Sequence, residues 1–391
     1  MSVSVGSAVM PTYARYPLTL ARGQGSTVWD DAGNAYLDFA GGIAVTAIGH
    51  AHPRWVESVA DQAATLGHVS NLWTTEPQER LARRLTGLAG FSGSVFFANS
   101  GAEANEAALK IARKHARAHG RHAVVALEGS FHGRTFATLA ATGQPAKRAP
   151  FEPLVEGFVH VPPGDLDALV GAVDDRTAAV LMEPVLGEGG VVPLDPAYLR
   201  AARELCTKRG ALLMFDEVQT GVGRTGTWFA FQRVDGLEPD VVTLAKGLGG
   251  GLPIGATIAR PELSFSAGEH ASTFGGGPIP CRAALTVLDV IEDEGLLANC
   301  AERGRQLTDG LATAGLPAGV RGAGLLIGVA FGRPVAGAIV RSLMRRGFLV
   351  TEAGPGVVRI SPALNVGEHE VAAFLAAFPE AAFEALKEDQ A

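Results

Sequence analysis

From residue 94 onward, short apolar runs alternate with longer stretches whose apolar positions recur at helical spacing. That alternation predicts an α/β protein built on a mostly parallel sheet with helices on both faces. Five of the runs close on polar residues. Residues 95–98 precede Asn99-Ser100, and Ala123–Leu127 precedes Phe131-His132. Residues 178–182 meet Glu183, 211–215 meet Asp216, and 241–245 meet Lys246. Ligands of open parallel sheets bind outside the carboxyl ends of the strands, so these five termini predict a single crevice.

The flanks read differently. Residues 27–30 and 35–39, joined by Asp31-Ala32-Gly33-Asn34, predict a hairpin. Helices are predicted from Pro53 to before Gly67 and over 76–88, ahead of the first sheet strand. Beyond Cys281 come two long helical patterns, an apolar run at 324–331 and a helix near 335–346. Short strands around Val350 and at 357–360 and a terminal helix follow. The expected organisation is an N-terminal segment, 1–50, that carries the hairpin and packs with the last domain. A large sheet domain, 51–280, and a smaller α+β domain, 281–391, complete it.

Composition adds exclusions. The 391 residues are 47% hydrophobic and 19% charged, with a net charge of -7, the make-up of an ordinary globular chain. No Lys/Arg-rich run offers an electrostatic basis for binding nucleic acid or an anionic membrane. No basic residue precedes Arg15 and no continuous apolar core lies near it. Neither a signal peptide nor a membrane span is therefore predicted, and the cytoplasm is the expected compartment. Cys206, Cys281 and Cys300 are too scattered for a disulfide framework. His50-Ala51-His52 runs into Pro53 with no third ligand nearby, so no metal site is expected.

Only six of the 33 basic side chains are lysines, and one of them stands apart. Lys246 ends a strand that reads as buried and precedes the glycine loop Gly247-Leu248-Gly249-Gly250-Gly251. Partial desolvation lowers a lysine pKa and favours the neutral amine that attacks a carbonyl carbon, so a Schiff base is its natural use. A lysine snorkelling from a strand end fits the same segment. Asp216 sets a carboxylate at the end of another apolar strand, where it needs a cationic partner. The ring nitrogen of pyridoxal phosphate supplies one, and so does an arginine. Ser100 and Glu103 have capping-box spacing at a helix start, which is also the geometry of a phosphate site. The string Gly221-Val222-Gly223-Arg224-Thr225-Gly226 matches a dinucleotide fingerprint, but no small-residue helix follows it.

Asn99-Ser100-Gly101-Ala102-Glu103, Asp216-Glu217-Val218-Gln219 and Ala245-Lys246-Gly247, in that order, resemble the class III pyridoxal-phosphate aminotransferases. The likeness runs nearly end to end. It includes Phe131-His132-Gly133-Arg134-Thr135, Glu183-Pro184 with Gly187-Glu188-Gly189-Gly190, and Ser272-Thr273-Phe274-Gly275-Gly276. Within the class, His68-Val69-Ser70-Asn71-Leu72 and Thr142-Gly143-Gln144 are similar to the acetylornithine aminotransferases.

The resemblance implies fold type I, with pyridoxal 5'-phosphate bound in the large domain. It implies that Lys246 holds the cofactor as an aldimine, that Asp216 faces the ring nitrogen and that Gln219 lies near the ring hydroxyl. Phe131 is expected to stack on the ring, and Ser100, Gly101 and Ala102 to hold the phosphate. Glu183 is expected to join the cofactor site, and Thr273 to reach the phosphate of the neighbouring subunit in a homodimer. Arg134, Arg359, Glu188 and Ser272 are the implied substrate residues. Arg134 is expected to grip the distal carboxylate, Arg359 the α-carboxylate of glutamate, and Glu188 to neutralise Arg359 when acetylornithine binds. The implied reaction passes the terminal amino group of acetylornithine to 2-oxoglutarate, in arginine biosynthesis. The alternatives are an ornithine, succinylornithine or other class III ω-aminotransferase and, from a different class, a non-catalytic ligand-binding or regulatory protein on the same fold. Two positions depart from the family pattern beside the expected site: Gly277 where Asn is usual, and Ala363 where a second proline is usual.

Overall fold

Seven strands form the central sheet of the computed structural model. Their spatial order is Ser94–Ala98, Gly255–Ala259, Val241–Leu244, Leu212–Asp216, Thr177–Met182, Ala123–Leu127 and Phe158–Val161. Gly255–Ala259 runs against both of its neighbours, and the other six share one direction. The structure describes residues 8–389. Residues 1–7 of the expected N-terminal segment and 390–391 of the expected last domain lie outside the described residues.

The sheet is covered on both faces, which is why its strands are continuous apolar runs rather than alternating ones. Leu213 and Phe215 join one core with Leu199 and Ala202 of the helix Pro196–Arg209. Leu212 and Met214, their neighbours in the chain, join the opposite core with Ala108, Ile111 and Ala112 of the helix Gly101–Ala116. Burying each such leucine or phenylalanine is worth roughly 1.5–3 kcal/mol.

Two of the seven strands are absent from the sequence reading. Phe158–Val161 is an edge strand whose burial is partial and whose third residue is His160, so it lacks an apolar signature. Gly255–Ala259 emerges from the glycine loop and is made of small residues, so it reads as more loop.

Smaller sheets flank this layer. Leu20–Gln24, Thr27–Asp30 and Ala35–Asp38 form an antiparallel meander, one strand more than the expected hairpin. Phe348–Leu349 pairs parallel to its last strand, joining the N-terminal lobe to the C-terminal part of the chain. Phe39 stacks on Phe374 of the helix Glu368–Glu388, with ring centroids 4.3 Å apart, at the same junction.

Gly319–Ala323, Leu326–Ala330, Val357–Ile360 and Thr351–Glu352 form another antiparallel sheet. Its first two strands replace the single run expected at 324–331, because Gly324 and Leu325 are the turn between them. The dinucleotide-like string forms turns, in which Arg224 is buried and donates from Nη1 to the carbonyls of Leu325 (3.2 Å) and Pro362. Burial pushes the Arg224 guanidinium down to about 10. All three cysteines are buried and free. Among the described residues no helix is long and apolar enough to cross a membrane.

The helix Leu296–Ala312 sits directly on the Gly324 turn. A Cβ at Gly304 would come within 2.9 Å of the Gly324 Cα and closer still to its carbonyl. Gly304→Ala is therefore expected to lower stability by about 1–3 kcal/mol, the range for overpacking a tight interface. A urea unfolding curve reads this, and an unchanged midpoint would show that the helix moves aside freely.

Candidate active site

The carboxyl ends of the parallel strands open on a cavity of about 390 Å³ whose walls include Lys246, Asp216, Glu183, Gln219, Phe131 and Arg134. Lys246 follows the strand Val241–Leu244 by two residues and adopts φ +40°, in the left-handed region that side chains other than glycine's rarely enter. Such backbone persists only where its surroundings hold it, and it costs on the order of 1–3 kcal/mol. Its amine is buried. Desolvation lowers its pKa, with Arg359 adding to the effect, against the opposing pull of Asp216, Glu188 and Glu183.

Asp216 is held from three directions. Its Oδ2 accepts from Asn105 Nδ2 (2.7 Å) and lies 2.8 Å from His132 Nδ1, and its Oδ1 accepts from the Val218 N–H (3.0 Å). A carboxylate only accepts, so His132 carries its hydrogen on Nδ1. Asn105 in turn donates to the His132 carbonyl (2.8 Å) and accepts from the Thr243 hydroxyl (2.7 Å). Asn105 and the His132 ring were not identified as site residues from the sequence. His132 sits in a quoted motif, whereas Asn105 reads as one more position of the helix Gly101–Ala116.

Glu183 accepts from the N–H groups of Phe131 (3.0 Å) and Gly187 (3.2 Å). Burial, with the Asp216 carboxylate beside it, raises the Glu183 pKa. Opposite the carboxylates, Ser100, Gly101 and Ala102 head the helix Gly101–Ala116 and line the cavity. First-turn N–H groups have no partner in their own helix and favour an anion. Side-chain space is closed at Gly101, where a Cβ would come within 2.8 Å of Val218. Ser100 caps Glu103 N–H (3.2 Å), but the returning carboxylate bonds Asn99 N–H (2.5 Å) and Asn99 Nδ2 (2.9 Å), one residue before the cap expected from the spacing.

The substrate residues expected from the sequence divide. Arg134 is exposed, with its guanidinium 5.4 Å from the Phe131 ring centroid. Arg359 lies on the central strand Val357–Ile360 of the C-terminal sheet and is only 2% exposed. It does not line the cavity, because its Nη1 is covered by Glu188, by the Gly187 carbonyl (3.4 Å) and by Gln219 Oε1 (3.3 Å). Burial would raise the Glu188 pKa, but Arg359 and Lys147 outweigh it and the net shift is downward.

Lys147 lies 3.8 Å from the other Glu188 oxygen and 4.7 Å from the Phe131 centroid. Ser272 and Thr273 line a neighbouring hollow with Asn71. Ser272 Oγ accepts there from Gly275 N–H (2.9 Å) and Asn99 Nδ2 (3.3 Å). Gly277 caps the helix Pro278–Asp293 and Ala363 is core, so neither departure from the family pattern lines the Lys246 cavity.

The donor set fits pyridoxal phosphate. A buried amine poised toward neutrality, an anchored carboxylate and a helix start meet in one space. Two buried nitrogens of its wall, His132 Nε2 and Gln219 Nε2, have no hydrogen-bond partner among the described residues. Groups of this kind in native proteins require an explanation, and a polar ligand is one.

The sequence profile of the family described as Aminotransferase class-III matches residues 9–382. The chain is 52% identical to the acetylornithine aminotransferase of Streptomyces coelicolor over 375 residues, covering 95% of this chain and 92% of that one. The ornithine aminotransferase of Toxoplasma gondii, which carries PLP at its active site at partial occupancy, superposes with a TM-score of 0.93 at 32% identity. That alignment covers 98% of this chain and 93% of the other. The N-acetylornithine aminotransferase of Stenotrophomonas maltophilia superposes with a TM-score of 0.83 at 37% identity, over 96% and 98% of the two chains.

Asn105→Ala removes partners from Asp216, His132 and Thr243 at once. The expected loss is about 1–3 kcal/mol, the cost of leaving a buried polar group unsatisfied. Chemical denaturation checks this, and a change within about 0.5 kcal/mol would mean the network is dispensable.

Proposed function

The chain belongs to the class III aminotransferases, and on that premise we propose that it moves the terminal amino group of N2-acetyl-L-ornithine to 2-oxoglutarate. The products are N-acetylglutamate 5-semialdehyde and glutamate, and the reaction serves arginine biosynthesis. It is a pyridoxal 5'-phosphate enzyme. The observation that carries the substrate reading is the Glu188–Arg359 pair, an arginine hidden behind a carboxylate at the wall of the Lys246 cavity.

When bound, the cofactor supplies a carbonyl that takes up the donor amine and a ring that draws off electron density, storing the amino group between half-reactions. Lys246 Nζ would hold the cofactor and serve as the base that takes the proton from the amine-bearing carbon of the donor and passes it to the cofactor, a role its lowered pKa suits. Asp216 would keep the ring nitrogen protonated, and His132 and Asn105 hold that carboxylate in place. Gln219 would serve the ring hydroxyl and Phe131 the ring. Ser100, Gly101 and Ala102 would hold the phosphate, and Glu183 steadies the Phe131 and Gly187 loops through its two accepted bonds.

One pocket must accept two donors whose carboxylates lie at different distances from the reacting amine. Arg134 grips the distal one, by the bidentate geometry that suits a guanidinium. Arg359 takes glutamate's α-carboxylate after Glu188 has moved aside, and Glu188 stays paired with Arg359 when acetylornithine occupies the site. Identity favours acetylornithine over ornithine, at 52% and 37% for the two acetylornithine relatives against 32% for the ornithine one. Ser272 and Thr273, on an exposed stretch outside the cavity of their own subunit, complete the neighbouring site in a homodimer, with Thr273 on the phosphate and Ser272 on the substrate side. The expected compartment is the cytoplasm.

Single-turnover rates with acetylornithine, ornithine and glutamate test this reading. The wild-type protein is expected to react fastest with acetylornithine of the two ornithine donors. Faster reaction with free ornithine would overturn the substrate assignment. Glu188→Ala leaves a buried cation unpaired and is expected to shift preference toward glutamate by roughly ten- to a hundredfold. Equal losses with both donors would show that Glu188 only supports the pocket.

A further inference from the structure

Glu188 faces two cations, not one. One carboxylate oxygen pairs with Arg359 and the other lies 3.8 Å from Lys147 Nζ, in the short helix Pro145–Arg148, beside the cavity-lining Phe131. The carboxylate is about three-quarters buried, the Arg359 side chain is 2% exposed and Lys147 is 26% exposed. Glu188 therefore stands between a buried cation and one at the solvent edge.

For a ligand carboxylate to reach Arg359, Glu188 must leave. A carboxylate that abandons its only partner inside a protein is strongly disfavoured. Here the second partner is already within ion-pair distance, so the departing side chain exchanges one cation for another. We propose that Lys147 is a positioning residue that receives Glu188 when Arg359 is given up to a substrate carboxylate, and so sets how readily the site admits glutamate and 2-oxoglutarate. The inference rests on the two-arginine reading of the pocket.

Lys147 lies close to Phe131 and keeps its amine in a partly desolvated place. Burial lowers its pKa, Arg134 and Arg359 add to that, and Glu188 opposes it. Among the described residues its one ion-pair contact is Glu188, the anion it is assigned to receive, with Glu183 acting from beyond ion-pair distance. Its alternative employment is direct contact with the distal carboxylate beside Arg134, and the two roles make different predictions.

Calorimetric binding to the cofactor-loaded protein separates them, with glutarate as a dicarboxylate that needs both arginines and pentanoate as a monocarboxylate that needs only Arg134. Lys147→Met keeps the stem and removes the charge. It is expected to weaken glutarate about tenfold and to move pentanoate by less than about twofold. Lys147→Arg is expected to restore most of the glutarate affinity. In a Glu188→Ala background the Lys147→Met effect on glutarate should vanish, because no carboxylate remains to be received.

Equal weakening of both ligands, or a glutarate effect that persists without Glu188, would overturn the proposal in favour of direct contact. No change in either ligand would overturn it outright. Neither acid carries an amine, so these results stand whether or not acetylornithine proves to be the donor. If wild-type protein binds glutarate no more tightly than pentanoate, the two-arginine pocket itself fails, and the proposal with it.

Discussion

An amine and several carboxylates buried together at one edge of a sheet form the constraint on which the rest of this molecule depends. Charges taken out of water are tolerated only when hydrogen bonds and opposite charges surround them. Asp216 meets that condition with three donors and Glu183 with two, while the Lys246 amine meets it by shifting toward its neutral form. The apolar strands, covered by helices on both faces, fix the backbone from which these groups project.

The sheet does not hold the whole site. Arg359 comes from the C-terminal antiparallel sheet and Glu188 from the loop between Val185–Leu186 and Val192–Pro193. The junction that brings them together depends on long-range contacts, including the pairing of Phe348–Leu349 with Ala35–Asp38 and the Phe39–Phe374 stack. A site divided in this way separates two tasks. The sheet edge carries groups common to any donor, and the divided wall carries those that distinguish one carboxylate position from another.

Much of this was legible in the chain because strand ends are punctuated. Glu183, Asp216 and Lys246 each follow a largely apolar run, and the structure places all three on one cavity. The edge strand Phe158–Val161 and the small-residue strand Gly255–Ala259 were not legible, since pairing rather than hydrophobic pattern defines them. Asn105 was hidden for a related reason: a helix position carries no mark of what lies across the turn from it. Lys147 was not legible either, because nothing in Pro145-Ala146-Lys147-Arg148 announces that Glu188 stands beside it. Arg359 and its pairing with Glu188 were legible through the family resemblance, but the depth of its burial emerges only from the fold.

The central claim is that burial lowers the pKa of the Lys246 amine, with Asp216 restraining that shift. Titration of the lysine amines by NMR after isotopic methylation of the cofactor-free protein tests it directly. Lys246 is expected to titrate below the ordinary lysine value of 10.5, and lower still in Asp216→Asn, where the restraining charge is gone. A Lys246 amine that titrates at the ordinary value, or that rises when Asp216 is neutralised, would contradict the account.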